Sequence, residues 1–333
     1  MKTDRHALGK PYRLPPWAAQ PFNGHGPRRR RGLPRLPVLI SSLLLGGAAA
    51  YIAVCGYLVL VLTRTERWPV ESSPASRGLE FETVRFPSRV DSLALEGWLI
   101  SPRAGAPERL PVVFVHGKGG HRHRVLDGDI MELVEPLAAR GHPVLLFDMR
   151  GAGASDGTRF TLGAEEVRDV GGALDLMESR GLTRNGVALA GYSMGAATSL
   201  LAAAEDPRVR AVVVDSGYAD LGDVLDRQVP KASGLPALFT PGIVLMARPL
   251  LGVDAADIRP IDAVPALAGR GVRLLVIHGE ADGMVPVEHG RRIAAAYGPG
   301  VESYFVPGAD HVAAYSANPG LYMERLLAFL ERG

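Results

Sequence analysis

Ser193, Asp282 and His311 are the residue types that together perform nucleophilic acyl transfer. A serine hydroxyl is a weak nucleophile at neutral pH. It needs a base within hydrogen-bond reach, and the base needs a carboxylate to hold its ring. Ser193 stands in Gly191-Tyr192-Ser193-Met194-Gly195, behind the apolar run 187–190 and ahead of the small residues and helix formers at 196–204. That order predicts a buried strand, a one-residue elbow and a helix, with the hydroxyl lifted above the strand end. Gly191 and Gly195 leave room for the two backbones to approach. His311 closes the turn Pro307-Gly308-Ala309-Asp310-His311 after the run 301–306, and Asp282 lies in the turn after the run 272–279. Asp215, at the end of an earlier apolar run, is an alternative acid. Asp310 is a weaker one, because a side chain adjacent to the base usually points elsewhere.

The pentad alone is weak evidence in a chain with 40 glycines, and Gly153-Ala154-Ser155-Asp156-Gly157 matches it too. Ser155 lies several residues past the run 143–148, and Thr158-Arg159-Phe160-Thr161 does not open a helix cleanly. Only Ser193 has strand before it and helix after it, so Ser193 is read as the nucleophile.

The elements that must carry these residues follow a regular rhythm. Runs 79–86 and 93–101 read as a hairpin, 111–117 and 143–148 as strands buried on both faces, and 209–215, 272–279 and 301–306 as further strands. Helices are expected at 127–140, 162–179, 287–297 and 319–331 between them. This alternation gives a mostly parallel sheet whose ligands bind beyond the C-terminal strand ends. Six prolines between 230 and 265 break the rhythm around an apolar stretch, read as a small helical cap at about 221–271.

The front of the chain differs in kind. Residues 1–36 carry a net charge of +8 with six prolines, against −6 for the rest. That segment reads as a disordered basic tail, and the charge balance excludes a uniformly basic nucleic-acid binder. Residues 37–63 hold no formal charge and, at 1.5 Å per residue, make a helix of about 40 Å, long enough to cross a hydrocarbon core of about 30 Å. The run is too long for a cleaved signal. Arginines 28–31 and Arg35 precede it, so the expected topology is single-pass, with the N-terminus cytoplasmic and the rest extracytoplasmic. Residues 64–78 read as a linker and 79–333 as the catalytic domain. Cys55, the sole cysteine, lies in the span, so no intramolecular disulfide is available.

Four landmarks occur together from residue 79 onward: His116-Gly117 after a strand, Asp148-Met149-Arg150-Gly151-Ala152-Gly153-Ala154-Ser155, the elbow 191–195, and His278-Gly279-Glu280-Ala281-Asp282 with Val285-Pro286. With the order Ser193, Asp282, His311 they resemble the α/β-hydrolase superfamily, closest to bacterial serine-aminopeptidase-like hydrolases and the protein-depalmitoylase branch. The resemblance implies an α/β-hydrolase fold with a small cap. It implies an oxyanion hole from the N–H groups of Met194 and Lys118, an acyl-enzyme on Ser193, and no metal or organic cofactor. It also makes the Ser155 segment a structural loop.

Lys118-Gly119-Gly120-His121-Arg122-His123-Arg124 reads as a solvated basic loop, or as an attractor for an anionic substrate group. His121 and His123 have no further zinc ligand at convincing spacing. The expected function is membrane-anchored serine hydrolysis of a carboxylic ester or thioester on a small or lipid-like acyl substrate. A peptidase or amidase on the same residues and a non-catalytic hydrolase-fold binding protein are the alternatives.

Overall fold

The computed structural model describes residues 36–126 and 128–332. The chain divides after Gly47 into two units. The first contributes the opening of helix α1 (Leu36–Leu62), an uninterrupted apolar helix of 27 residues. The second unit carries the rest of α1 and everything that follows.

That unit is built on an eight-stranded sheet: β1 (Phe81–Pro87), β2 (Ala94–Ile100), β3 (Val112–Val115), β4 (Val144–Phe147), β5 (Val187–Tyr192), β6 (Val209–Asp215), β7 (Arg273–Gly279) and β8 (Glu302–Val306). The spatial order is β1-β2-β4-β3-β5-β6-β7-β8. β2 pairs antiparallel with both β1 and β4, and the remaining pairs are parallel. β3, β4 and β5 are buried throughout, which is why they read as unbroken apolar runs rather than alternating ones. Successive residues still face opposite layers. Val112 and Phe114 pack with α2 (Met131–Ala139) and α10 (Pro319–Glu331), which follows the short α9 (Ala314–Ala317). Val113 and Val115 pack in the opposite layer with α3 (Glu166–Ser179), α4 (Met194–Glu205), α7 (Pro260–Gly269) and α8 (Val287–Tyr297).

Two helices stand outside these layers, α5 (Leu221–Ser233) and α6 (Thr240–Leu251), and they form the cap. The cap is smaller than the proline pattern suggests. α7, expected within it, buries Val264 and Leu267 in the core against the sheet. Its Pro260 occupies the first turn, where a missing N–H costs nothing, so this proline starts a body helix rather than breaking one.

The segment expected as a linker is held along its length. Thr65 N–H donates to Thr158 O, and the Arg67 guanidinium donates to the carbonyls of Gly153 and Gly157 at 2.9 and 2.7 Å. Arg77 pairs with Asp129 at 2.7 Å. Arg159 donates to Leu60 O at 2.7 Å, a cation placed on the carbonyl end of α1. The basic tail and Asp127 lie outside the described residues.

Candidate active site

Ser193 occupies the one-residue joint between β5 and α4, with φ of 53°. A non-glycine residue holds that conformation only when its surroundings impose it. Here Ser193 N–H is fixed on Asp215 O at 2.8 Å, and both flanking glycines are crowded. A Cβ on Gly191 would lie 2.6 Å from Ala196 Cα, and one on Gly195 would overlap the Val115 carbonyl oxygen.

The Ser193 hydroxyl lies 2.8 Å from His311 Nε2, and His311 Nδ1 lies 2.7 Å from Asp282 Oδ2. An acceptor beyond Nδ1 sets the tautomer: Nδ1–H donates to Asp282, leaving Nε2 to accept from Ser193. Three loops at the C-terminal ends of β5, β7 and β8 thus converge. Asp282 is fully enclosed and His311 nearly so, with 14 % of its side chain exposed. Asp282 Oδ1 accepts from Met284 and Val285 N–H at 2.9 and 2.7 Å. Burial pushes the Asp282 carboxyl up, but hydrogen bonds from His278, His311 and Val285 outweigh it and hold it far below the usual carboxylate range. Asp282 therefore carries a fixed negative charge behind the imidazole.

Of the other acids, Asp310 accepts from Gly283 N–H at 3.0 Å and His311 N–H at 2.7 Å, tying the His311 turn to the Asp282 turn. Asp215 is turned away, accepting from Tyr322 Oη at 2.9 Å and Ser216 Oγ at 3.0 Å. Burial raises its carboxyl to about 6 against those bonds. Ser216 Oγ in turn accepts from Val312 N–H at 3.0 Å, steadying the residue after His311.

In the sequence His278 stands only as a landmark. Its Nε2 faces two acceptors, Val285 O at 2.8 Å and Asp282 Oδ2 at 3.3 Å, so Nε2 carries the proton and braces the carboxylate from behind. The spacing His278-x-x-x-Asp282 across a tight turn is the signal for that contact.

The loop after β3 passes close over Ser193: a Cβ on Gly117 would lie 3.2 Å from Ser193 Cβ. Neither Met194 N–H nor Lys118 N–H donates to another group among the described residues. Both residues line a cavity of about 280 Å³ that also includes Leu62, Glu66, Trp68 and Phe160. The Lys118 ammonium rests 5.0 Å over the Phe160 ring, and burial pushes its pKa down against the opposing pull of Glu66.

Within this loop His121 and Arg122 are buried, while Arg124 stays exposed. Arg122 is buried, paired with Glu96 at 2.6 Å and Asp148 at 3.1 Å, and stacked 5.0 Å over Trp98. Arg124 lies 5.6 Å over Trp68. His121 and His123 stack at 6.5 Å, and among the described residues no three His, Cys, Asp or Glu side chains are grouped to hold a metal. Charge pairing from 26 residues away, which no local spacing displays, makes Arg122 a structural residue inside an apparent surface run. Ser155 is closed into the backbone, its Oγ donating to Asp148 O at 2.6 Å and accepting from Glu96 N–H at 2.9 Å.

A family model described as serine aminopeptidase, S33, matches residues 106–245. The chain has the α/β-hydrolase fold. The esterase Pf2001 of Pyrococcus furiosus superposes with a TM-score of 0.65 at 22 % identity, covering 80 % of this chain and 98 % of that one. Est1E of Butyrivibrio proteoclasticus gives 0.55 at 21 % identity, covering 74 % and 96 %. In sequence, this chain is 25 % identical to the YfhR protein of Salmonella typhi over 296 residues, 84 % of this chain and 92 % of that protein. Over a shorter span of 148 residues it is 32 % identical to the thiohydrolase apmlB of Arthrinium phaeospermum, 41 % of this chain and 42 % of that one.

Proposed function

We propose that this hydrolase is a membrane-anchored serine esterase or thioesterase, with Ser193 as nucleophile, His311 as general base and Asp282 as its orienting charge. The observation that carries it is the unbroken line from Ser193 Oγ through His311 to Asp282 at 2.8 and 2.7 Å. His311 takes the Ser193 proton as Oγ attacks the acyl carbon, then delivers it to the leaving oxygen or sulfur. Water activated by the same imidazole releases the acid and restores Ser193. The tetrahedral oxyanion is received by the N–H groups of Met194 and Lys118, each worth about 3 kcal/mol in the transition state.

The likeness to solved esterases and to a thiohydrolase supports ester and thioester bonds over peptides. An aminopeptidase needs an acid free to take a substrate ammonium. Glu66 lines the cavity, but Lys118 shares it and feels the Glu66 charge. In this reading α1 is the anchor, and the arginines ahead of it support a cytoplasmic N-terminus with the hydrolase domain outside.

Purified full-length protein in detergent is expected to hydrolyse p-nitrophenyl acetate. Ser193→Ala should lower kcat/KM by about 10³-fold or more. A folded wild type that turns over peptide anilides but no ester or thioester overturns the substrate class. One that turns over none overturns the enzyme.

A further inference from the structure

The last turns of α1 do more than follow the membrane span. Tyr51 Oη donates to Leu238 O at 2.7 Å, and its ring stacks on Phe239 at 5.1 Å. Cys55 and Val59 are buried in one cluster with Val229 of α5 and Ile243 of α6. Gly242 lets the helices touch: a Cβ there would lie 2.6 Å from both Cys55 Sγ and Tyr51 Oη. α1 is thus the third helix of the cap.

Behind that contact lies a second cavity of about 120 Å³, walled almost wholly by carbon. Val59 and Leu62 of α1 form one side, Leu225, Val229, Ile243 and Ala247 of the cap the other. Leu62 and Lys118 line both this cavity and the larger one lined by Gly117 and Met194. On its outer side the cap presents Leu238, Leu245 and Leu250, 61, 74 and 40 % exposed.

Helix arithmetic sets the depth of the cap. A hydrocarbon core of about 30 Å takes about 20 helical residues, and tilt takes more. Counted from Leu36, the first residue past the charge of Arg35, 20 residues end near Cys55. Tyr51 and Cys55 are the residues that hold Phe239 and Gly242. The outward side of α1 stays apolar beyond them, with Tyr57, Leu60 and Val61 exposed. A span of the required length therefore brings the outer cap face to the acyl boundary.

We infer that the second cavity is an acyl-chain site filled sideways from the bilayer, with the anchor helix as one of its walls. The substrate is a membrane-resident ester or thioester whose chain lies between Val59, Leu62 and the cap while its carbonyl reaches Ser193. This inference rests on the esterase reading and names its substrate class.

The test uses full-length protein reconstituted in phosphatidylcholine–phosphatidylglycerol vesicles, assayed with p-nitrophenyl octanoate and acetate. Val59→Phe on the anchor wall and Ala247→Phe on the cap wall each fill the cavity. Each should lower the octanoate-to-acetate ratio of kcat/KM by about tenfold or more, the discrimination that a methylene-sized change in a pocket supports. An unchanged ratio in both variants, with acetate still hydrolysed, overturns the acyl site and leaves the esterase reading standing. Loss of both substrates in wild type removes the esterase reading itself. Depth is read separately: Leu245→Cys carrying an environment-sensitive fluorophore should be quenched by doxyl lipids in the same vesicles. Emission at the wavelength found in water, without quenching, overturns the sideways entry.

Discussion

Ser155 and Ser193 sit in the same five-residue pattern, yet one hydroxyl is tied to Asp148 O and Glu96 N–H while the other faces His311. The glycines around them serve different ends. Gly191 and Gly195 have ordinary backbone angles and are demanded by crowding between β5, α4 and β3. Gly153 and Gly157 have φ of 43° and 99°, and let a loop curl around the Asp148 carboxylate, which accepts Ala154 N–H at 2.9 Å and Arg122 N–H at 2.7 Å. The motif turns its hydroxyl to a histidine only where a strand end and a helix start meet at one residue. Elsewhere it is a turn.

The two sites are separated most sharply by the partners of Ser193. Asp282→Asn keeps the shape of the acid but lets the wrong His311 tautomer form. Ester kcat should fall by about 10⁴-fold, with the thermal midpoint little changed. An equal fall in Asp310→Asn would mean that the turn matters more than the charge. Next in size is the elbow itself. Gly195→Ala drives a methyl into the Val115 carbonyl and should cost about 3 kcal/mol or more in urea unfolding. A variant as stable as wild type would show that β3 and α4 are not held together as described.

Asp215 gives a pH signature that Ser155 lacks. Its folded value of about 6 lies above the ordinary 3.8, so the fold binds this proton more tightly than the unfolded chain. That contribution is fully present below about pH 4 and lost as pH rises through about 6. The difference between about 6 and 3.8 corresponds to about 3 kcal/mol. Asp215→Asn, unable to ionise, should gain stability relative to wild type across that interval. A pH-independent difference between the two unfolding curves contradicts the raised value. Smallest is Ser155→Ala, which strands two buried backbone partners and should lower stability by about 1–3 kcal/mol with ester turnover intact.

Much of this arrangement was legible in the sequence, for a physical reason. Strands buried on both faces leave continuous apolar runs, and polar residues at their C-terminal ends must sit on one edge of the sheet. Ser193, Asp282 and His311 could be placed together on that basis alone. What the sequence hid were contacts made at a distance. Arg122 looked solvated because Glu96 and Asp148 reach it from elsewhere in the chain. Residues 64–78 looked like a tether because what holds them is largely backbone carbonyls, which composition does not show. α1 is apolar all round, so its periodicity marks no face, and nothing local reveals that Tyr51, Cys55 and Val59 pack on the cap. His278 was visible but unassigned, its role depending on a turn that returns Asp282 to its ring.

The most direct measurement is fluorophosphonate labelling of full-length protein, with the adduct located by peptide mass. The expected result is one adduct, on the peptide containing Ser193, absent from Ser193→Ala and undiminished in Ser155→Ala. Labelling that persists in Ser193→Ala, or a folded wild type that takes no label, would contradict an activated serine at the elbow.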